Sequence, residues 1–283
     1  MGCNLCSCSD YKKREGSVRD NKDLEIYECL NCGLVYLSSF DHINEAYYEE
    51  SNMHKEIDFV KWQNETREDD ERRYKFLEQN INNKDILDFG SGTGGFLKRV
   101  KPYASSICGI ELERAVYPYY EENEIEVYDN LQNCKKQFDI ITSFHVLEHL
   151  PTPKDILIQM IELLKKDGKI IIEVPNANDA LLTLYKSKPF SNFTYWSCHL
   201  FLYTRYTLEL LAKQVGLKID FIKYVQRYPL SNHLYWLSEG KAGGHVKWGS
   251  FLDSNELTSA YENQLSSLGK TDTIIAQFSK ENI

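Results

Sequence analysis

The sequence predicts an α/β fold in which a mostly parallel sheet is covered by helices on both faces. Three observations predict it. Short apolar runs alternate with helix-patterned stretches from residue 83 to about 225. One such run, Ile86-Leu87, ends in a carboxylate, Asp88, and meets the glycine-rich turn Gly90-Ser91-Gly92-Thr93-Gly94-Gly95 before a helical pattern starts at Phe96. Strand, glycine turn and helix in that order are how open α/β sheets place a nucleotide cofactor at a helix N-terminus. Finally, 283 residues with 42% hydrophobic and 13% aromatic side chains supply core for one large α/β domain and a small appendage, or for two modest domains.

The appendage comes first, over residues 1–40. Cys3-Asn-Leu-Cys6 and Cys29-Leu-Asn-Cys32 are two C-x-x-C pairs separated by 22 residues, positions 7 to 28. Each pair can present two thiolates to one ion, and two pairs make a tetrahedral sulfur site for a structural zinc. The spacing slightly exceeds the usual window, Cys8 competes with Cys6 as a ligand, and four free thiols are the alternative. The segment between is polar until Leu24-Glu25-Ile26-Tyr27-Glu28-Cys29, which alternates like a strand, and is too poor in apolar residues to fold unaided. Four cysteines leave no open position for a substrate, so zinc here is a staple.

Residues 41–82 form a helical connector or lid. Ile57, Val60, Tyr74, Leu77 and Ile81 fall near helical spacing, without glycine or proline. The run Glu68-Asp69-Asp70-Glu71-Arg72-Arg73 reads as a solvated helix face, and Tyr47 and Tyr48 are candidates to cover a cleft.

The large domain spans residues 83–283. After the glycine loop, Ser106 to Ile110 is a second strand ending at Glu111, and Ile125 to Asp129 a third. Phe138 to Ser143 is a continuous buried strand. A helix follows over Ile156 to Lys166, stopped by Asp167-Gly168, and a fifth strand over Lys169 to Val174. Tyr206 to Gly216 is another helix, Leu217 to Ile222 a sixth strand and Thr273 to Phe278 a seventh. Between the last two lies an insertion, residues 228–270. Gly243-Gly244 forces a turn there, and the flanking His233, Trp236, His245 and Trp248 suit either an aromatic substrate wall or a surface hairpin packed on the core. His233 and His245 offer metal donors, though at no known spacing.

Two cofactors compete for the glycine loop. Gly90-x-Gly92-x-x-Gly95 satisfies the dinucleotide fingerprint, with Glu111 about twenty residues on, where a ribose-binding acid belongs. The loop also reads Asp88-x-Gly90-x-Gly92-x-Gly94, which resembles the first motif of class I S-adenosylmethionine-dependent methyltransferases. Charge separates the readings: a carboxylate repels a pyrophosphate and attracts the ammonium and sulfonium of adenosylmethionine. Glu111 could take both ribose hydroxyls. Asp129 or Asn130 either meets the adenine amino group or is a turn residue.

Further motifs carry the same resemblance: His145-Val-Leu-Glu148-His149-Leu-Pro151, Glu173-Val-Pro-Asn176 and His199-Leu-Phe-Leu-Tyr-Thr-Arg-Tyr-Thr-Leu208, in the order seen in class I methyltransferases. The cysteine-rich start is similar to a subgroup whose members often modify sugars, nucleotide-linked sugars or other small metabolites in bacteria. The resemblance covers nearly all of the chain up to about residue 225. It implies a Rossmann-like seven-stranded sheet with the last strand antiparallel, Asp88 on the methionine part, Glu111 on the ribose, Phe144 and His145 at the methyl end, and S-adenosylhomocysteine as product. Against sugar C-methyltransferases, Cys198 stands where an acid precedes the matching histidine, which counts against C-methylation.

Methyl transfer from a sulfonium is an in-line displacement, and a hydroxyl acceptor must lose its proton. Histidine suits that role near neutral pH. His199 is the expected base and His149 the second candidate, since both follow strands at the sheet edge where ligands bind. A net charge of −9 and no basic run longer than Lys12-Lys13-Arg14 disfavour nucleic acid as partner. No run is long enough to span a bilayer and the start lacks a signal-peptide pattern, so cytoplasmic residence is expected. The acceptor expected is a hydroxyl on a small polar molecule, most simply a nucleotide-linked or phosphorylated sugar for surface glycans. RNA, protein, or a carbon or nitrogen acceptor on another metabolite are the alternatives. A zinc-ribbon adaptor with a degenerate fold is opposed by the intact Asp88, Gly90, Gly92 and Glu111.

Overall fold

The computed structural model describes residues 2–43 and 59–281, so the expectations for Tyr47, Tyr48 and Ile57 lie outside the described residues. Three short antiparallel strands open the chain: β1 (Tyr11–Lys13), β2 (Ile26–Cys29) and β3 (Val35–Leu37). Their turns bring four thiols together. Cys3 and Cys32 sulfurs lie 3.5 Å apart, as do those of Cys6 and Cys29, and all four sulfurs fall within 4.8 Å of one another. Four thiolates at tetrahedral zinc, with zinc–sulfur bonds of about 2.3 Å, would stand about 3.8 Å apart, so the donor set fits that ion. The Cys8 sulfur lies outside this group and accepts from the Asp10 amide at 3.4 Å.

The connector folds as helix α1 (Phe59–Leu77). The charged run in it is not a solvated face. Asp70 and Arg73 are buried, at 7% and 9% exposure, beside the half-buried Asp69 and Arg72. The reason lies far off in sequence: Arg72 and Arg73 both donate to Glu173, which is fully buried.

The domain then alternates as expected: β4 (Asp85–Phe89), α2 (Gly95–Val100), β5 (Ser106–Ile110), α3 (Tyr117–Glu122), β6 (Glu126–Tyr128), β7 (Phe138–Phe144), α4 (Pro153–Leu163) and β8 (Leu164–Pro175). Here one boundary departs from expectation. Helix α4 stops at Leu163 and the strand begins at once, because Leu164 is fully buried and pairs with Phe138. Asp167-Gly168 therefore sits inside the strand, where the register with β7 shifts. Two short helices, α5 (Ala180–Thr183) and α6 (Lys188–Thr194), lead to β9 (Phe201–Leu202). Helix α7 (Arg205–Gln214), capped by Thr204, leads to β10 (Leu217–Val225).

The insertion is helical rather than a hairpin. It forms α8 (Leu230–Glu239), α9 (Gly244–Lys247), α10 (Gly249–Leu252) and α11 (Asn255–Ser267) before β11 (Thr273–Lys280). The glycine pair still makes a turn, between two helices. Gly243 has φ +106°, and a Cβ at Gly244 would meet the Ser231 carbonyl at 2.4 Å, so α9 can lie tightly on α8 only with glycine there.

Seven strands make the main sheet in the order β10-β11-β8-β7-β4-β5-β6. Only β11 runs antiparallel to its neighbours, wedged between β8 and β10. The central strands read as continuous apolar runs because helices cover both faces. Strand β4 pairs with β5 on one side and β7 on the other, both parallel, so the winding direction reverses at β4 and a crevice opens beyond the carboxyl ends of β4 and β7. The small sheet, ordered β1-β2-β3-β9, takes its last strand from the large domain. No described helix is long and apolar enough to cross a membrane.

Candidate active site

A cavity of about 820 Å³ fills that crevice. Its floor is the glycine loop, and the loop geometry requires its glycines. Gly90 (φ +72°) leaves room for Val146 from the loop after β7: a Cβ would sit 2.3 Å from the valine methyl. Gly92 (φ +54°) accommodates Trp62 of α1, and Gly95 accommodates the Asp70 carboxylate, which a Cβ would approach to 2.2 Å. Two of the loop's glycines thus serve the docking of α1. Gly94 lies outside the cavity wall; at φ +69° it caps α2 and packs against Tyr120.

Acidic groups stand at both ends of the loop. Asp88 is 4% exposed and accepts from Thr142 Oγ1 at 2.7 Å. Burial pushes its pKa up to about 7 against the opposing pull of Thr142 and Arg73. At the end of β5, Glu111 accepts from the Gly92 amide at 2.7 Å and from the Glu113 amide at 2.9 Å, and burial raises its pKa. Two oxygens carry about four acceptor positions, so the carboxylate can still take hydroxyl donors from a ligand. Leu112, Asp129, Asn130, Leu131 and Gln132 continue the cavity wall.

At the other end Phe144 meets Phe96 edge-on, 5.1 Å between centroids, with the Arg73 guanidinium 4.6 Å over its ring. His145 has φ +57°, a left-handed conformation costing a non-glycine residue roughly 1 kcal/mol. Its Nδ1 lies 3.2 Å from Glu148 and its Nε2 3.3 Å from Glu173, a carboxylate at each nitrogen. Burial and the Arg227 charge oppose protonation, but the two carboxylates win and the pKa is raised. The Arg227 Nη1 atom, 3.2 Å from Nε2, is then a neighbour rather than a donor to it. Arg227 pairs instead with Asp69 of α1.

His149 and His199, from loops fifty residues apart, meet on the cavity wall with their rings edge-on at 4.8 Å. Burial depresses both pKa values, that of His199 to about 3, while the buried Glu148 carboxylate opposes this in each. Donor atoms of His149, Cys198 and His199 also fall within 4.8 Å of one another, close enough to share an ion. His233 and His245 are not in the cavity wall. His233 bonds Tyr261 at 2.7 Å, Trp236 meets Phe190 edge-on and Phe193 at a tilt, and Trp248 meets Tyr235 edge-on, so the insertion's aromatic residues serve local packing. Sequence reasoning missed the cavity residues Trp62, Thr66, Asp69, Asp70 and Arg73, although their spacing puts them on one face of α1. It also missed Arg227, which no local pattern marks.

Residues 62–220, more than half of the chain, match the methyltransferase-domain family. A ubiquinone biosynthesis O-methyltransferase from Hydrogenovibrio crunogenus is 26% identical over 187 residues, 57% of this chain and 77% of that protein. The protein of the same name from Coxiella burnetii (strain Dugway 5J108-111) is 24% identical over 176 residues, 56% and 75% of the two chains. Among solved structures, a chain from the complex of the Haloferax volcanii Trm112 methyltransferase activator with a methyltransferase superposes with TM-score 0.53 at 11% identity, covering 80% of this chain and 98% of that one. A SAM-dependent methyltransferase from Thermotoga maritima gives 0.51 at 16% identity, covering 79% and 94%. The sheet with its antiparallel β11, the crevice at the β4 switch point and the family match converge: this chain belongs to the methyltransferase-domain family and is an S-adenosylmethionine-dependent methyltransferase of the class I fold.

Proposed function

We propose that this methyltransferase carries the methyl group to a hydroxyl of a small polar acceptor, a nucleotide-linked or phosphorylated sugar destined for surface glycans. The observation that carries the hydroxyl is the His149–His199 pair beside the methyl end of the cavity. Burial keeps both imidazoles neutral at physiological pH, hence able to accept a proton, but weakens them as bases; the nearby Glu148 carboxylate opposes that in each and stabilises the imidazolium once formed. His199 takes the acceptor proton as the oxygen–carbon bond forms and the carbon–sulfur bond breaks, leaving S-adenosylhomocysteine; His149 supports it. The relatives named O-methyltransferases agree with oxygen as the acceptor atom. The acidic chain, with a net charge of −9, favours a small acceptor over RNA.

In this reading Glu111 takes the ribose hydroxyls, and Asp129 with its neighbours holds the adenine. Asp88 attracts the ammonium and sulfonium, and Arg73, a buried cation in the cavity wall, balances the cofactor's carboxylate. Phe144 and His145 bound the methyl end. Cys3, Cys6, Cys29 and Cys32 hold one zinc ion that staples the N-terminal module, and the protein works in the cytoplasm.

The test is a screen of nucleotide-linked sugars with methyl-labelled adenosylmethionine, run beside His199→Ala. Labelled sugar from the wild type, lost in the variant with cofactor affinity unchanged, is expected. Label appearing only on RNA, protein or an amine would overturn the acceptor class, and undiminished turnover in the variant would overturn the base.

A further inference from the structure

The N-terminal module is bonded to the segment that carries His199. Strand β3 extends its ladder into the large domain: Val35 pairs with Leu202 and Tyr36 with Phe201, and the Leu37 amide donates to the Leu200 carbonyl at 3.1 Å. Residues 195–197, before β9, are held by the module as well. The Arg19 amide donates to the Tyr195 carbonyl at 2.9 Å, and the Arg19 guanidinium lies over the Trp196 ring at 4.1 Å. Asp20 accepts twice from one residue, from the Ser197 amide at 2.9 Å and from its hydroxyl at 2.6 Å. His42 meets the Ser197 carbonyl at 2.8 Å.

His199 lies inside this clamped stretch. The Trp196 ring stands 5.8 Å from its imidazole, and the amide of the next residue, Leu200, donates to the Glu148 carbonyl at 2.8 Å. The segment is therefore pinned to the module on one side and to the loop carrying His149 on the other.

We propose that the module is a positioning element for the acceptor end of the cavity, and that Asp20 is its controlling residue. It fixes Ser197, two residues ahead of His199, and so sets the angle at which the imidazole faces the acceptor. Asp20 is itself exposed, so the fold does not depend on burying it, yet a carboxylate held by two donors of one residue is short and directional. Placement of this kind matters because a displacement of about 1 Å in a reacting group can cost on the order of 100-fold in rate. The inference rests on the reading of His199 as the acceptor-facing group.

The experiment compares Asp20→Ala and Asp20→Asn in the full-length, metal-loaded protein. The asparagine keeps an oxygen for the Ser197 amide. The readout is the imidazole ¹H–¹³C correlation of His199, assigned by its disappearance in His199→Asn, with the buried His233 of the insertion as internal control. Asp20→Ala should move the His199 signal toward that of a solvent-exposed imidazole and leave His233 in place, while Asp20→Asn should restore the wild-type position. Affinity for S-adenosylhomocysteine should stay within about twofold in both, because neither touches the cofactor wall. An unmoved His199 signal in Asp20→Ala overturns the proposal. So does a His233 signal that moves together with it in both variants, which would mean general loosening. Failure of the wild type to bind S-adenosylhomocysteine would strike at the cofactor reading and leave the His199 comparison standing.

Discussion

Replacing Glu111 with glutamine probes the cofactor end with the smallest change of shape. The carboxylate holds the Gly92 amide on one oxygen at 2.7 Å and the Glu113 amide on the other at 2.9 Å. Glutamine keeps one oxygen and puts an NH₂ group on the other position, so one backbone donor faces a donor. A ribose hydroxyl that bonded the charged group loses a contact of about 1.5–3 kcal/mol, the range for hydrogen bonds to charged partners. That corresponds to roughly 10- to 150-fold weaker binding of adenosylmethionine and of S-adenosylhomocysteine. The lost amide bond also costs about 1 kcal/mol of fold stability, which for a chain of this size lowers the melting temperature by roughly 2–4 °C. Isothermal titration with both ligands, alongside thermal unfolding, measures the two effects. Affinity within about threefold of wild type would refute the assignment of Glu111 to the ribose, given the strength of such bonds.

Four further outcomes are expected. Gly90→Ala, which forces a Cβ to 2.3 Å from Val146 at φ +72°, should abolish cofactor binding; Gly216→Ala, at φ +73° with nothing within 4 Å, should cost only about 1–2 kcal/mol of stability, and equal effects in titration and unfolding would contradict this. Asp88, with its pKa raised to about 7, takes up a proton as pH falls through that value, so affinity for the cationic cofactor should drop by up to about tenfold per unit below it. Asp88→Asn should flatten that profile, and an equally steep profile in the variant would rule Asp88 out. Arg227→Ala removes one of the two arginines paired with the half-buried Asp69, leaving Arg72 at 2.9 Å, and should destabilise by about 1–3 kcal/mol in urea unfolding, while the double variant with Asp69→Ala should lose less than the sum of the two single losses; strictly additive losses would mean the pair is not coupled. Metal analysis should find close to one zinc per chain, lost with fold stability in Cys29→Ser; a metal-free protein of full stability would end the staple reading.

The fold was legible where its causes are local or repeat along the chain. Ile86-Leu87 and Phe138 to Ser143 are continuous apolar runs because the strands are covered on both faces. The paired cysteines announce themselves by spacing, and the glycine loop by its strand and its acid. What stayed hidden depends on partners distant in sequence. Nothing near Asp69 to Arg73 says that Glu173 and Arg227 will draw that charged face inward. The end of α4 was misjudged because Asp167-Gly168 looks like a helix stop, whereas the burial of Leu164 against Phe138 decides the boundary. In the insertion, Gly243-Gly244 correctly signalled a turn, but whether helices or strands flank it was settled by how α8 and α9 stack. His149 and His199 were each readable as loop residues at the right sheet edge. That they touch could be known only from the tertiary structure.

The central claim is that the crevice at β4 holds adenosylmethionine, and titration calorimetry of the wild type tests it most directly. Adenosylmethionine and S-adenosylhomocysteine should each bind at one site per chain, with NAD giving no heat beyond dilution. Saturable NAD binding with no response to adenosylmethionine at millimolar concentration would contradict it.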